Sequence, residues 1–241
     1  MNILTVIPAR YGSSRFPGKP MVQHVYERSC LAGCTDRVLV ATDDRRIADA
    51  VAGFGGEVIM TAPDHPSGTD RVVEVSRHIR ADIYINVQGD EPLIRPGDID
   101  LLVRNMLEDP SCQVGTLCHP IPIEEALDTN TVKMIVSHSG NALYFSRGLI
   151  PYVANTTYQP EYLKHIGIYA YRAELLARYT TLPLSALENR ERLEQLRLLE
   201  ADFPIKAVRT TRTGPGVDTP ACLEKVRRIM AHDYSQHVAL C

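Results

Sequence analysis

No two of the six cysteines (Cys30, Cys34, Cys112, Cys118, Cys222 and Cys241) have the C-x-x-C spacing, so the expectation is free thiols in a reducing compartment. Cys30 and Cys34, four apart at an expected helix end, read as packing residues rather than ligands. No apolar run reaches membrane-spanning length. Charge of neither sign dominates: 26 basic and 29 acidic residues are interspersed and leave a net charge of −3. The balance argues against a nucleic-acid surface and against an anionic-membrane anchor. Repeats, low-complexity tracts and long Pro/Gly/Ser linkers are also missing, so residues 1–241 are read as a single domain with room for a substantial core. The first residues enter a strand-like stretch with no leader pattern, and the expected location is the cytoplasm.

Against this neutral background one stretch is locally basic. Residues 3–7 are apolar or β-branched and suit a buried strand; Pro8, which has no N–H to donate, ends the ladder. In the loop that follows, Arg10, Arg15 and Lys19 alternate with Gly12, Ser13, Ser14 and Gly18. Small residues let backbone N–H groups close around an anion, as a polyphosphate requires. A P-loop is excluded: the spacing between Gly12 and Gly18 is one residue too long, and Pro20 stands where Mg²⁺-binding Ser/Thr would be. By composition alone, a solvated connection remains the alternative.

Farther along, the pattern alternates between helix and strand. Residues 21–28 read as an amphipathic helix, 37–42 as a strand, and Asp43-Asp44 as the cap of a helix through Ala50. A strand at 57–60, a helix at 70–78, a strand at 83–87 and a proline-led helix at 96–108 follow. Such alternation predicts an α/β fold, a mostly parallel twisted sheet with helices on both faces and ligands at the carboxyl ends of the strands. The second half is less regular. Expected strands at 131–136 and 142–146 form a small inserted antiparallel element within about 131–171, for sugar binding or a homodimer contact, and a strand returns at 166–171. Helices at 173–179 and 187–199, a strand at 205–208 and a closing helix at 220–230 complete the reading.

Several polar groups punctuate these elements. Asp90, in Gly89-Asp90-Glu91-Pro92 directly after a strand, suits Mg²⁺, which takes one or two carboxylates plus substrate phosphates; the alternative is a strand-ending turn. Asp218, in Gly216-Val217-Asp218-Thr219-Pro220, is equally a helix cap. Ser67-Gly68-Thr69-Asp70-Arg71 precedes a helix, where hydroxyls either cap or meet a ligand. His165 beside a strand reads as a hydrogen-bonded structural histidine, and Glu191, Glu194 and Gln195 as one face of a helix.

Taken as strings, residues 8–20, 65–71, 86–92, 144–147, 193–197 and 216–220 resemble, in order, the 3-deoxy-manno-octulosonate cytidylyltransferase (CMP-Kdo synthetase) family. The resemblance implies a Rossmann-like nucleotidyltransferase fold and transfer of a cytidylyl group from CTP to 3-deoxy-D-manno-octulosonate (Kdo), giving CMP-Kdo and pyrophosphate for lipopolysaccharide biosynthesis. The alternatives are a related sugar-acid nucleotidyltransferase or a catalytically silent nucleotide-binding protein. It further implies that Arg10, Arg15 and Lys19, with Ser13, hold the CTP phosphates. Ala9, Ser67 and Arg71 would border the cytidine, and Gln88, Arg147, His165, Tyr169, Glu194 and Gln195 the sugar acid. Asp90 and Asp218 would hold Mg²⁺. In one place the chain departs from the pattern: family members carry about ten more residues, with a second Gly-Lys-Pro, where Pro20 here runs straight into Met21, in a region where short loops are otherwise usual.

Overall fold

Apolar side chains that alternate between two faces build the sheet from its first strand, β1 (Ile3–Ala9). Leu4 and Val6 enter one buried cluster while Ile3, Ile7 and Ala9 enter another, so the sheet is covered on both sides. The computed structural model describes residues 1–10, 19–154, 157, 160–183, 185–211, 224 and 226–229. Elements follow in the order α1 (Lys19–Cys30), β2 (Arg37–Thr42), α2 (Arg45–Gly53), β3 (Val58–Met60), α3 (Gly68–His78), β4 (Ile83–Val87) and α4 (Pro96–Glu108). After them come β5 (Val114–Ile121), α5 (Ile123–Ala126), β6 (Lys133–Val136), β7 (Ala142–Ser146) and β8 (Tyr162–Arg172). The last labelled elements are α6 (Ala173–Tyr179), α7 (Ala186–Glu191), α8 (Leu196–Glu200) and β9 (Lys206–Arg209).

The sheet order is β3-β2-β1-β4-β8-β5-β9. Strands β3, β2, β1 and β4 are parallel, as the alternation in the sequence predicts, and β9 is parallel to β5. Strand β8 runs antiparallel between β4 and β5. The expected antiparallel insertion exists as the β6–β7 pair, with β6 joined to β8 through Lys133↔Lys164 and Met134↔Leu163. One cluster carries Val25, Val51 and Leu102 from α1, α2 and α4; the other carries Val72, Leu175 and Leu196 from α3, α6 and α8.

Local chemistry explains the element ends. The Asp44 carboxylate caps α2 through the amide N–H of Arg46, and Ser67 caps α3 through that of Asp70. Proline opens α4, where the missing N–H costs nothing.

Five expectations need correction. Strand β5 was not anticipated: its Gly, His and Pro hide a run that is buried except at Pro120, and only pairing with β8 and β9 reveals it. The single helix expected at 187–199 is two, α7 and α8, because Arg192 takes left-handed backbone (φ 57°) and ends α7. Strand β8 begins at Tyr162 rather than 166, and β6 at Lys133 rather than 131. Lys19 opens α1 instead of lying in the loop, so Pro20 and Met21 are successive helical residues and the chain runs unbroken through the point where the family pattern is longer. Of the closing helix expected at 220–230, residues 224 and 226–229 are helical and the rest lie outside the described residues.

Ile85 on β4 is fully buried between β1 and β8. Ile85→Ala is expected to cost about 2–5 kcal/mol and Ile85→Val about 0.5–1.5 kcal/mol, read from urea unfolding midpoints. Equal losses for the two variants would contradict the packing described.

Candidate active site

The strand order reverses between β1 and β4, and a crevice opens beyond their carboxyl ends, where open α/β sheets bind ligands. Two glycines let the walls close on it. A Cβ on Gly68 would lie 3.1 Å from the Gln88 amide and 3.3 Å from the Pro8 ring; one on Gly167 would lie 3.1 Å from Glu91 Oε1. The α3 N-terminus, the β1 end and β8 therefore crowd around Gln88. A cavity of about 860 Å³ extends from there toward β6, α7 and α8, a size suited to a small-molecule substrate.

Eight residues named from the sequence line this cavity: Ser67, Gln88, Asp90, Arg147, His165, Tyr169, Glu194 and Gln195. They come from segments far apart in the chain. Gln88 Nε2 donates to Asn86 Oδ1 (3.2 Å) and Glu194 Oε1 (3.4 Å), while Glu194 Oε2 accepts the Thr69 amide N–H (3.2 Å). Burial raises the Glu194 pKa, against the pull of the Ser67 and Thr69 hydrogen bonds. Instead of the solvated helix face suggested by its spacing, Glu194 is joined to the α3 N-terminus. Among the described residues Tyr169 Oη and Gln195 Nε2 are buried and have no hydrogen bond of ordinary geometry.

His165 Nε2 lies 3.1 Å from Thr116 Oγ1, and its ring packs edge-on against Phe145 and tilted against Tyr169. Burial, aided by the Lys164 charge, lowers its pKa to about 3, so at neutral pH the imidazole is uncharged. Arg147 is anchored at several points. Its amide N–H donates to Glu191 Oε2 (2.9 Å), Nε to the Glu191 carbonyl (3.0 Å) and Nη1 to the Thr129 carbonyl (3.3 Å). Among the described residues Nη2 has no partner, leaving N–H donors for a carboxylate.

Ala9 and Arg10 lie at the end of β1 and Arg71 on α3, and none of the three lines the cavity. Arg10 donates to the His65 carbonyl, and the His65 ring pairs with Glu74 on α3. Arg71 is fully buried: Nη2 meets Asp43 Oδ1 at 2.9 Å, Nη1 reaches Thr61 Oγ1, and Nε has no partner among the described residues. Ser13, Arg15 and Asp218 lie outside the described residues, as does the side chain of Lys19.

Among the described residues no three His, Cys, Asp or Glu side chains gather as a metal cage. Mg²⁺ does not need one, since it keeps waters and substrate phosphates beside one or two carboxylates. The adjacent carboxylates Asp90 and Glu91 line the cavity, and Glu91 Oε1 also accepts the Gly167 amide N–H (3.2 Å). Hard oxygen donors of this kind fit such an ion.

A cytidylyltransferase family profile matches residues 4–207. The 3-deoxy-manno-octulosonate cytidylyltransferase of Escherichia coli is 54% identical over 240 residues, which cover 96% of this chain and 97% of that protein. The chain belongs to the 3-deoxy-manno-octulosonate cytidylyltransferase family. The corresponding enzyme of Syntrophotalea carbinolica is 49% identical over 249 residues, covering 96% of this chain and 98% of its own. A solved structure of CMP:2-keto-3-deoxy-manno-octonic acid synthetase complexed with CTP matches with a TM-score of 0.91 at 54% identity, over 97% of this chain and 100% of that one. A putative glucose-1-phosphate thymidylyltransferase from Bacillus anthracis, 12% identical with a TM-score of 0.65 over 94% of both chains, shares the fold alone.

Reading the sequence missed other residues of this family member's cavity. Arg192 and Glu188 were hidden by the helix break, and Thr116, which lies behind the cavity wall against His165, was hidden with β5. Lys164, paired with Glu125 at 3.2 Å, lies beside His165 on β8 and was the one that a longer strand assignment would have found.

The depressed His165 pKa fixes a sign. Between pH about 6.5, where an unfolded histidine titrates, and about 3, the unfolded chain binds a proton that the folded one refuses, so this contribution is full above pH 6.5 and is lost as pH falls. Urea unfolding from pH 7.5 to 4.5 should show wild-type stability falling more steeply than that of His165→Gln, by up to about 1.4 kcal/mol per pH unit. Parallel curves would show that His165 does not titrate this way.

Proposed function

We propose that the protein transfers the cytidylyl group of CTP to the anomeric hydroxyl of Kdo, releasing pyrophosphate and forming CMP-Kdo for lipopolysaccharide biosynthesis. The observation that carries this reading is a cavity in which the Arg147 guanidinium stands among carboxylates and amides. A sugar acid needs both: a cation with N–H donors for its carboxylate, and acceptors for its hydroxyls. The 54% identity to the E. coli enzyme, and to the structure complexed with CTP, supports the same nucleotide and sugar.

The reaction is read as a single in-line displacement. The sugar oxygen bonds to the α-phosphorus as the bond from that phosphorus to the β-phosphate oxygen breaks, and the electron pair leaves with pyrophosphate. Arg10, Arg15 and Lys19, with Ser13, are assigned to the phosphates, where their charge stabilises the leaving group. Lys19 opens α1, and a helix N-terminus favours an anion. Ala9, Ser67 and Arg71 border the cytidine; Arg71 acts from within the wall, held by Asp43. Gln88, Tyr169, Glu194 and Gln195 orient the sugar with Arg147, and neutral His165 offers a hydrogen-bonding imidazole rather than a base. Asp90, with Asp218, would hold Mg²⁺, which when bound lowers the pKa of the attacking hydroxyl and neutralises phosphate charge. No side-chain nucleophile is required.

The insertion at 131–171 is assigned to the sugar site and to a homodimer contact, supported by exposed Leu143, Leu149 and Tyr152. No helix among the described residues is long and apolar enough to cross a membrane. The cytoplasm, where CTP is made, is the proposed location.

Pyrophosphate release over a panel of nucleotides and sugar acids should be fastest with CTP and Kdo. Faster turnover of CTP with sialic acid, or of ATP with any sugar, would reassign the substrate. Asp90→Asn should raise the Mg²⁺ concentration needed for half-maximal turnover and lower the maximal rate, while calorimetric CTP binding in EDTA stays unchanged. An unaltered Mg²⁺ titration would remove Asp90 from the metal.

A further inference from the structure

The lysine at the start of β6 has no carboxylate among its hydrogen-bond partners. Lys133 is fully buried, and its Nζ donates to three main-chain carbonyls: Asp128 (2.9 Å), Thr131 (2.6 Å) and Arg147 (2.6 Å). Three N–H bonds and three acceptors saturate the ammonium. A buried cation whose hydrogen bonds all go to main-chain carbonyls is costly to place. Burial does lower its pKa; of the charged groups facing it, Asp128 and Glu191 act in the opposite sense and Arg147 in the same one.

The three carbonyls lie at one place in the molecule. Asp128, Thr131 and Arg147 all line the cavity, and Lys133 sits between them because β6 pairs Lys133 with Ser146 on β7 and with Lys164 on β8. Strand neighbours of Lys133 thus lead directly to Arg147 on one side and to Lys164 and His165 on the other. Arg147 depends on the lysine twice. Its own carbonyl is one of the three acceptors, and its guanidinium donates to Thr129, inside the 128–131 turn that Lys133 grips at both ends. Glu191 completes the frame from α7, accepting from Ser146 Oγ (2.7 Å) and from the Arg147 amide, with its carbonyl on Arg147 Nε.

We propose that Lys133 is a positioning residue for the sugar-acid subsite, its ammonium locking the 128–131 turn and the Arg147 backbone so that the Arg147 guanidinium points at the substrate carboxylate. The proposal rests on the assignment of Arg147 to that carboxylate. The groups assigned to CTP at the end of β1 and on α3 make no contact with this network, so the lysine affects one substrate and spares the other.

The test is steady-state kinetics with CTP and Kdo on wild type, Lys133→Met, Arg147→Ala and the double variant, with thermal melts to establish folding. Lys133→Met should raise KM for Kdo by about tenfold or more while KM for CTP moves less than about twofold, and in the Arg147→Ala background it should add less than about twofold. An equal Kdo effect in both backgrounds, or equal shifts in KM for both substrates, would make Lys133 a structural staple and overturn the proposal. Should Lys133→Met not fold, Lys133→Gln, which keeps a donor without the charge, takes its place under the same criteria; failure of both to fold would also overturn the positioning role. If Arg147→Ala alone leaves KM for Kdo unchanged, the Arg147 assignment falls first, and the proposal with it.

Discussion

The antiparallel seating of β8 between β4 and β5 is the constraint on which the site depends. Its main chain pairs on one edge with the strand that leads into Gln88 and on the other with the strand that supplies Thr116. Residues two apart on a strand share a face, so Tyr169 and Tyr171 stack at 5.8 Å on one side of the sheet. Thr116 straddles the irregular register, its hydroxyl donating to the Ile168 carbonyl at 2.7 Å while lying 3.1 Å from His165 Nε2. The β6–β7 pair then attaches to β8, so the insertion and the parallel half meet across one strand.

Around that strand the protein buries charge in a consistent way. Arg71 is held by Asp43 and Thr61, and Lys133 by three carbonyls. Arg197 is held by a two-point contact with Glu188 at 2.7 Å and a longer one with Asp70 at 3.6 Å, with its guanidinium over the Tyr179 ring. Removing one partner of such a group leaves the other desolvated and uncompensated, which costs more than the pair contributes. Each of these cations joins segments that carry site residues. Arg197 connects α8, α7 and the first turn of α3, and thereby ties the Ser67 side of the cavity to the Glu194 side. The polar interior serves to fix geometry more than to add stability.

The cavity itself combines two kinds of environment. Near Asp90 and Glu91 it presents hard oxygen donors, and near Tyr169 and Gln195 it presents buried polar atoms without a hydrogen bond of ordinary geometry among the described residues. Burial keeps His165 uncharged and the Tyr169 phenol protonated, so those walls supply neutral hydrogen-bonding groups. Charge in this region is concentrated on Arg147, Lys164 and Arg192 and on the carboxylates facing them.

The sequence by itself determined the elements whose evidence is local. Continuous apolar or β-branched runs marked β1, β2 and β4, proline and Asp44 marked helix starts, and α4 has the bounds that its pattern predicts, because each signal lies within one element. The position of Asn86-Val87-Gln88-Gly89-Asp90 at a strand's carboxyl end was legible for the same reason, and resemblance of strings extended that to the residues now lining the cavity. Only the tertiary structure decided the rest. Strand β5 contains Gly115 and Pro120 and is a strand because β8 and β9 flank it; the helix expected over 187–199 is broken by a left-handed Arg192 that packing of Leu193 and Leu196 permits. Glu194 exchanged an expected solvated face for a place at the α3 N-terminus, and Lys133, unremarkable in the string Thr131-Val132-Lys133-Met134, became a buried hub. The physical reason is common to all four: strand pairing, desolvation and the saturation of buried polar groups are set by neighbours distant in the chain, which no local pattern encodes.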